Sequence, residues 1–115
     1  VAEDGGHFFN PEKPIAYCID GKSWVNNHAH VLRCNTEINI SFLHHQLAYY
    51  EVRPYLNGST CHKLIMGSLM KMPIIIPPMF IQNLFAKICD LINSMNDIGG
   101  LLNINRKSLA QEMLT

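Results

Sequence analysis

The chain has 115 residues, which is enough for one small domain and leaves little room for a second core. Nine Lys and Arg residues balance nine Asp and Glu residues, so the formal net charge is zero, and this excludes a strongly basic nucleic-acid coat and an acidic tail. Hydrophobic residues make up 48% and charged residues only 16%, a composition that favours folding over disorder.

Short strands and turns are predicted for the first forty residues. Turn dipeptides such as Asp20-Gly21 punctuate this part of the chain. Strand-like runs lie between the turns at residues 15–19, 23–25 and 30–34. Because Asp-Gly is typical of tight hairpin turns, the first two runs are expected to pair across it.

One helix and one further strand are predicted between residues 41 and 77. Ser41 is the expected helix N-cap, and Pro54 prevents continuation beyond the helix end. Residues 72–76 form a β-type run that Pro77-Pro78 closes. The apolar stretch at 72–81 is too short to cross a bilayer and contains three prolines, so no membrane span is expected.

An amphipathic helix is predicted from Pro78 onward. Apolar residues recur there in steps of three and four, a spacing typical of a coiled-coil seam. The seam residues are Ile81, Leu84, Ile88, Leu91 and Met95. This seam predicts a helical partner, since a long apolar stripe is unfavourable in water; the alternative is that it packs on the chain's own domain.

Gly99-Gly100 predicts a break or kink after this helix, because two glycines cost roughly 2 kcal/mol relative to alanines in a helix interior. A second helical stretch is predicted at residues 101–114. Taken together, the elements predict an α+β fold. Residues 1–77 would form a small mixed α/β domain, and residues 78–115 would form a long coiled-coil-type helix with its break at Gly99-Gly100.

No catalytic or metal-binding constellation is found. His28, His30 and Cys34 are potential metal ligands, but their spacing fits no common closed site. Cys61-His62 are adjacent, yet nucleophilic catalysis also needs an orienting third group. We therefore expect ordinary hydrogen bonding for the histidines, and neither an enzyme activity nor a cofactor.

The four cysteines form no CxxC pair, and we expect reduced thiols in a cytoplasmic protein. An alternative is a secreted, disulfide-bonded glycoprotein domain, because N-glycosylation sequons begin at Asn39 and Asn57. Free thiols would exclude that alternative.

The C-terminal segment offers a DNA-binding alternative. Residues 97–114 resemble a helix-turn-helix, with an apolar residue and a glycine before the basic stretch. In this alternative the chain is a transcription regulator. Its recognition helix would present Arg106, Lys107 and Gln111 to the major groove of the DNA.

A second polar stretch, residues 22–30, combines Lys, Ser, Asn and His at a turn. Asn side chains pair bidentately with adenine and Lys contacts phosphate or guanine, so this stretch suits DNA readout.

From Trp24 to the C-terminal segment, several stretches resemble, in the same order, those of specificity subunits from type I restriction–modification systems. They are W-x-N-N-H-x-H-V-L at residues 24–32, G-S-T with two leucines from residue 58, I-x-I-P-P at 74–78, Gln82 in the following helix start, and K-x-L at 107–109.

The resemblance implies that the chain is the C-terminal part of a target-recognition domain plus the helical spacer that follows it. A complete domain of this kind would carry a further strand-rich portion before Val1. Such subunits read double-stranded DNA, perform no chemistry and hold no cofactor. They dock a methyltransferase subunit and a restriction subunit, and their helices pair as a coiled coil or allow self-association.

Two loops are expected to lie closest to DNA by this resemblance and by side-chain chemistry. The first carries Lys22, Asn26, Asn27 and His28, and the second carries Ser59, Thr60 and Lys63. Asn57 and Gly58 are expected to shape the second loop rather than contact DNA.

Overall fold

A computed structural model describes residues 1–97, with side chains through Met95, and Glu112. In chain order the elements are α1 (Ile40–Ala48), a 3-10 turn (Arg53–Tyr55), α2 (Met66–Leu69) and α3 (Met79–Asp97). Within residues 1–97, no helix is both long enough and apolar enough to cross a membrane. The predicted break at Gly99-Gly100, the helical stretch at 101–114 and the helix-turn-helix all lie outside the described residues, apart from the last residues of α3 and Glu112.

The two helices predicted from Ser41 and from Pro78 are confirmed as α1 and α3, and the strand predictions are wrong for the described residues. The runs at 15–19, 23–25, 30–34 and 72–76 form no strand, and the β-pairing described consists of two isolated antiparallel bridges, Ala2 with Ala29 and Asn57 with Lys63. The described part is therefore mostly helical rather than α+β.

For the run at 72–76, the reason lies in the partners of its backbone hydrogen bonds. The Gln46 side chain brackets Ile75: its amide donates to the Ile75 carbonyl at 3.0 Å and its oxygen accepts from the Ile75 N–H at 2.6 Å. Similarly, the Tyr50 hydroxyl donates to the Pro73 carbonyl at 2.6 Å. Side chains thus satisfy groups that a neighbouring strand would otherwise pair, and proline lacks the N–H that a ladder needs.

The chain forms two compact units. The first contains Val1–Arg33 and Leu47–Ile74, and the second contains Cys34–Gln46 and the described residues from Ile75 onward. The predicted division into residues 1–77 and 78–115 concerns the organisation of the protein and stays a prediction.

The N-terminal segment lies at the centre of the first unit. The Ala2 N–H donates to the Ile15 carbonyl at 2.9 Å, and the Glu3 N–H donates to the His28 carbonyl at 2.9 Å. On the other side of the segment, the Glu3 carbonyl accepts from the Leu64 N–H at 2.7 Å. The buried apolar residues of this unit are Ile15, Ala16, Leu47, Ala48, Val52, Leu64, Leu69 and Met72.

The second unit is built on contacts between α1 and α3. Phe42 and Phe85 meet edge to face with ring centroids 5.3 Å apart, and Ile38 and Cys89 complete this buried cluster. The N-cap of α1 is Asn39 rather than the predicted Ser41. The Asn39 side-chain oxygen accepts from the N–H groups of Ser41 (2.8 Å) and Phe42 (3.2 Å), which only the residue before the first helical position can reach.

Gln82 is fully buried in the second unit. Its amide nitrogen donates to the carbonyls of Glu37 (2.9 Å) and Pro77 (2.8 Å), and its oxygen accepts from the Asn39 N–H at 2.7 Å. One side chain thus joins the start of α3 to the segment that leads into α1.

Helix α3 carries two apolar faces. Its buried face consists of Gln82, Phe85, Ala86, Cys89 and Ile92. The predicted seam lies beside it: Leu84 is 54% and Leu91 57% exposed, while Ile81, Ile88 and Met95 are half-buried. Leu84 and Leu91 therefore do not pack into the described part of the chain.

Candidate nucleic-acid interface

The structure brings the two predicted loops of the first unit to one carboxylate. We define the first loop as residues 22–28 and the second loop as residues 57–63. The Asp4 side chain lies between them: one carboxylate oxygen is 2.7 Å from His28 Nδ1 and the other is 3.7 Å from Lys63 Nζ. The two loops, separated by about thirty residues in the chain, are thus linked to one site.

The backbone makes this link through the residue next to Asp4. Glu3 is hydrogen-bonded on one side to His28, at the end of the first loop. On its other side it is bonded to Leu64, which directly follows the second loop. Paired backbone groups fix these positions more firmly than an exposed ion pair would.

The sequence analysis did not single out Asp4. An acidic pair, Glu3 and Asp4, before two glycines carries no motif, and no spacing rule connects residue 4 with residues 28 and 63. Only the backbone pairing of the N-terminal segment brings the three side chains together.

The second loop is closed at its base. Asn57 and Lys63 exchange two backbone hydrogen bonds of 2.8 Å, and Gly58 adopts a φ of +93°. A side chain at Gly58 would be strained by that φ and its Cβ would collide with the Cys61 carbonyl oxygen. The expected conformational role of Gly58 agrees with this geometry, and Ser59 and Thr60 are exposed at the loop tip.

The first loop is exposed throughout. The Asn26 side-chain oxygen accepts from the His28 N–H at 3.0 Å, which uses one of its acceptor positions to shape the turn. Lys22 and Asn27 are exposed, and Trp24 is 98% exposed. Of the predicted set, Lys22, Asn26, Asn27, His28, Ser59, Thr60 and Lys63 are therefore all accessible to a ligand.

The two histidines near the N-terminal segment have different environments. His28 is exposed and paired with Asp4, whereas His30 is buried and its Nε2 donates to the Leu64 carbonyl at 2.6 Å. Neither histidine lies in a β-strand, because the backbone of residues 28–30 pairs with the N-terminal segment through the isolated Ala2–Ala29 bridge. Among the described residues, no three His, Cys, Asp or Glu side chains gather as a metal site would require.

Two of the cysteines, Cys18 and Cys61, are exposed thiols. They form no disulfide, which removes part of the framework that a secreted disulfide-bonded domain would need.

The family profile described as "Type I restriction modification DNA specificity domain" matches residues 3–104. The chain belongs to this family. A protein of Haemophilus influenzae, provisionally named type I restriction enzyme specificity subunit S.HindORF215P, is 35% identical over 95 residues. That alignment covers 83% of this chain and 24% of the relative, so the chain spans about a quarter of the length of the curated relative it matches.

No solved structure matches the chain. The resemblance that the W-x-N-N-H-x-H-V-L and I-x-I-P-P segments indicate is confirmed by the family match, which includes both segments.

Proposed function

We propose that this chain recognises double-stranded DNA as part of a type I specificity subunit. Residues 1–77 would be the C-terminal portion of a target-recognition domain and residues 78–115 the helical spacer. The observation that carries the proposal is the pairing of both predicted loops with Asp4 in a chain of the specificity-domain family.

The exposed side chains of the two loops divide by chemistry. Lys22 and Lys63 suit phosphate contacts, which supply affinity without sequence information. Asn27, Ser59 and Thr60 present amide and hydroxyl groups that can both donate to and accept from base edges. The net charge of the chain is zero, so binding would depend on such local groups and on phosphate contacts made by partner subunits.

In this proposal the chain performs no reaction itself and holds no cofactor. It acts in the cytoplasm and directs a methyltransferase subunit and a restriction subunit to the DNA. The exposed Leu84 and Leu91 support a helical partner along α3, either in one of these subunits, in another part of the specificity subunit or in a second copy.

The test begins with co-expression of the tagged chain and the methyltransferase subunit of its own operon, followed by duplex-DNA titrations at several salt concentrations. Lys63→Ala should weaken binding to all sequences and reduce the salt slope by about one. Lys87→Ala is the matched control, because Lys87 is an exposed lysine on α3 and belongs to neither loop.

Unchanged affinity and salt slope for Lys63→Ala would contradict its assignment. Loss of binding with Arg106→Ala, together with normal binding of the Lys63 variant, would favour the helix-turn-helix regulator instead.

A further inference from the structure

We propose that Asp4 is a positioning residue that fixes the tautomer of His28, so that His28 Nε2 accepts a hydrogen bond from the exocyclic amino group of an adenine or a cytosine in the major groove. This inference rests on the proposed function and deepens it by naming the chemical group that one side chain reads.

The first step is the direction of the contact between Asp4 and His28. An ionised carboxylate can only accept hydrogen bonds, so at 2.7 Å His28 Nδ1 must carry the hydrogen and donate to Asp4. A neutral imidazole has one hydrogen on its two nitrogens, which leaves Nε2 as an acceptor.

The second step concerns accessibility. The His28 side chain is 58% exposed although one nitrogen is engaged, whereas that of Asp4 is only 17% exposed. The carboxylate is thus the better-fixed partner. It is further held by Lys63 at 3.7 Å and by the two backbone hydrogen bonds of Glu3. A packed second group that orients an exposed reading group is what precise recognition requires.

The third step is the choice of ligand. An acceptor nitrogen repels phosphate oxygens, so an imidazole with an unprotonated Nε2 does not suit the DNA backbone. In the major groove the base donors are adenine N6 and cytosine N4, whereas guanine and thymine present acceptors at the corresponding places. His28 would therefore favour adenine or cytosine over guanine or thymine, on one strand and at one position of the target.

The experiment selects bound sequences from a pool of randomised duplexes with the wild-type complex of the chain and its methyltransferase subunit. One position should show the A-or-C preference. His28→Ala should relax that position alone, by roughly 2- to 10-fold in relative affinity, as expected for one hydrogen bond. Asp4→Asn should relax the same position although His28 is retained, because an amide can either accept from or donate to Nδ1.

Asp20→Asn is the matched control, since it removes one exposed acidic charge in the same unit without a contact to His28. It should leave every base preference unchanged. A general rise in affinity with unchanged preferences in Asp4→Asn would mean that Asp4 acts only as a charge, and this would overturn the proposal. A wild-type complex that binds no duplex would instead overturn the proposed function itself.

A second measurement tests the His28 tautomer without DNA, so its result does not depend on binding. Nitrogen NMR of the histidine-labelled protein, with the His28 signals assigned by their loss in His28→Gln, distinguishes the two ring nitrogens. The wild-type protein should show a protonated Nδ1 and an unprotonated Nε2 at His28. A wild-type ring that carries a hydrogen on Nε2, with or without one on Nδ1, would overturn the proposal.

Discussion

At the scale of single residues, amide side chains form several of the hydrogen bonds that join separate segments of the described structure. Gln46 pairs with the backbone of Ile75 as a neighbouring strand would, and Gln82 joins three backbone groups from a fully buried position. A buried amide with satisfied partners adds directionality that apolar packing lacks, and its loss leaves those partners unpaired.

Replacement of Gln82 should therefore destabilise the fold strongly. Gln82→Leu keeps a similar volume but leaves the Asn39 N–H and the Glu37 and Pro77 carbonyls without their partner. We expect a loss of about 2–4 kcal/mol in the free energy of unfolding. Urea denaturation followed by circular dichroism measures this loss. Asn83→Ala is the control, because it removes one exposed hydrogen bond and should change the free energy by less than about 0.5 kcal/mol.

Tyr50 gives a pH-dependent prediction. Burial, followed by the neighbouring Tyr55, raises the pKa of the Tyr50 phenol above its ordinary value of 10.0. A raised pKa means that the stability contributed by the protonated form is complete below pH 10 and is lost as pH rises through the folded-state pKa.

Tyr50→Phe should cost about 0.5–1 kcal/mol at pH 8, since the Pro73 carbonyl loses its donor. The difference from the wild type should shrink above the folded-state pKa, because ionised Tyr50 cannot donate either. Urea denaturation at pH 8 and at a pH above the folded-state pKa checks this. Tyr17→Phe, at a 78% exposed tyrosine, serves as the control. A constant difference across pH would contradict the assigned hydrogen bond.

At the scale of elements, apolar spacing of three and four identified α1 and α3, because a helix satisfies its own backbone and needs only a buried stripe. Strand prediction failed because a strand depends on partners that local pattern does not specify. The run at 72–76 has β-type composition, but its hydrogen bonds go to the side chains of Gln46 and Tyr50.

The same distinction applies to the candidate interface. Its loop residues were chosen from their side-chain chemistry and from the family resemblance. All seven are exposed, and their contact with DNA stays a prediction. Asp4 was not predictable, because its role arises from backbone pairing between distant segments.

The buried face of α3 should contribute more to stability than its exposed seam, and substitutions at two adjacent residues test this. Phe85 is fully buried and Leu84 is 54% exposed. Phe85→Ala should cost about 3–5 kcal/mol of unfolding free energy through lost burial and a residual cavity, whereas Leu84→Ala should cost well under about 1 kcal/mol. Denaturant titration of both variants measures the contrast, and equal losses would mean that the seam is packed in solution.

At the scale of the whole molecule, Leu84 and Leu91 lie about two helical turns apart on the exposed seam of α3. Two leucines seven residues apart return to the same helical face, which is the geometry that a coiled-coil partner uses. The neutral net charge offers little long-range repulsion between copies of the chain.

The double substitution Leu84→Lys with Leu91→Lys should abolish association along α3 without changing the helical signal. Sedimentation velocity of the chain, alone and with the methyltransferase subunit, measures the association. Lys87→Glu on the same helix, outside the seam, controls for a change of charge. A wild-type chain that stays monomeric in both samples, or a double variant that associates normally, would contradict the seam prediction.

The pairing of Phe42 with Phe85 also has a consequence for synthesis on the ribosome. Phe42 and its half-buried neighbour Leu43 are synthesised well before their partner on α3 has been made. At typical elongation rates, adding the intervening residues takes about 2–9 s, and during that time the apolar side of α1 has no cover from α3. Slow codons placed between these positions would lengthen the interval before α3 can cover the apolar side of α1.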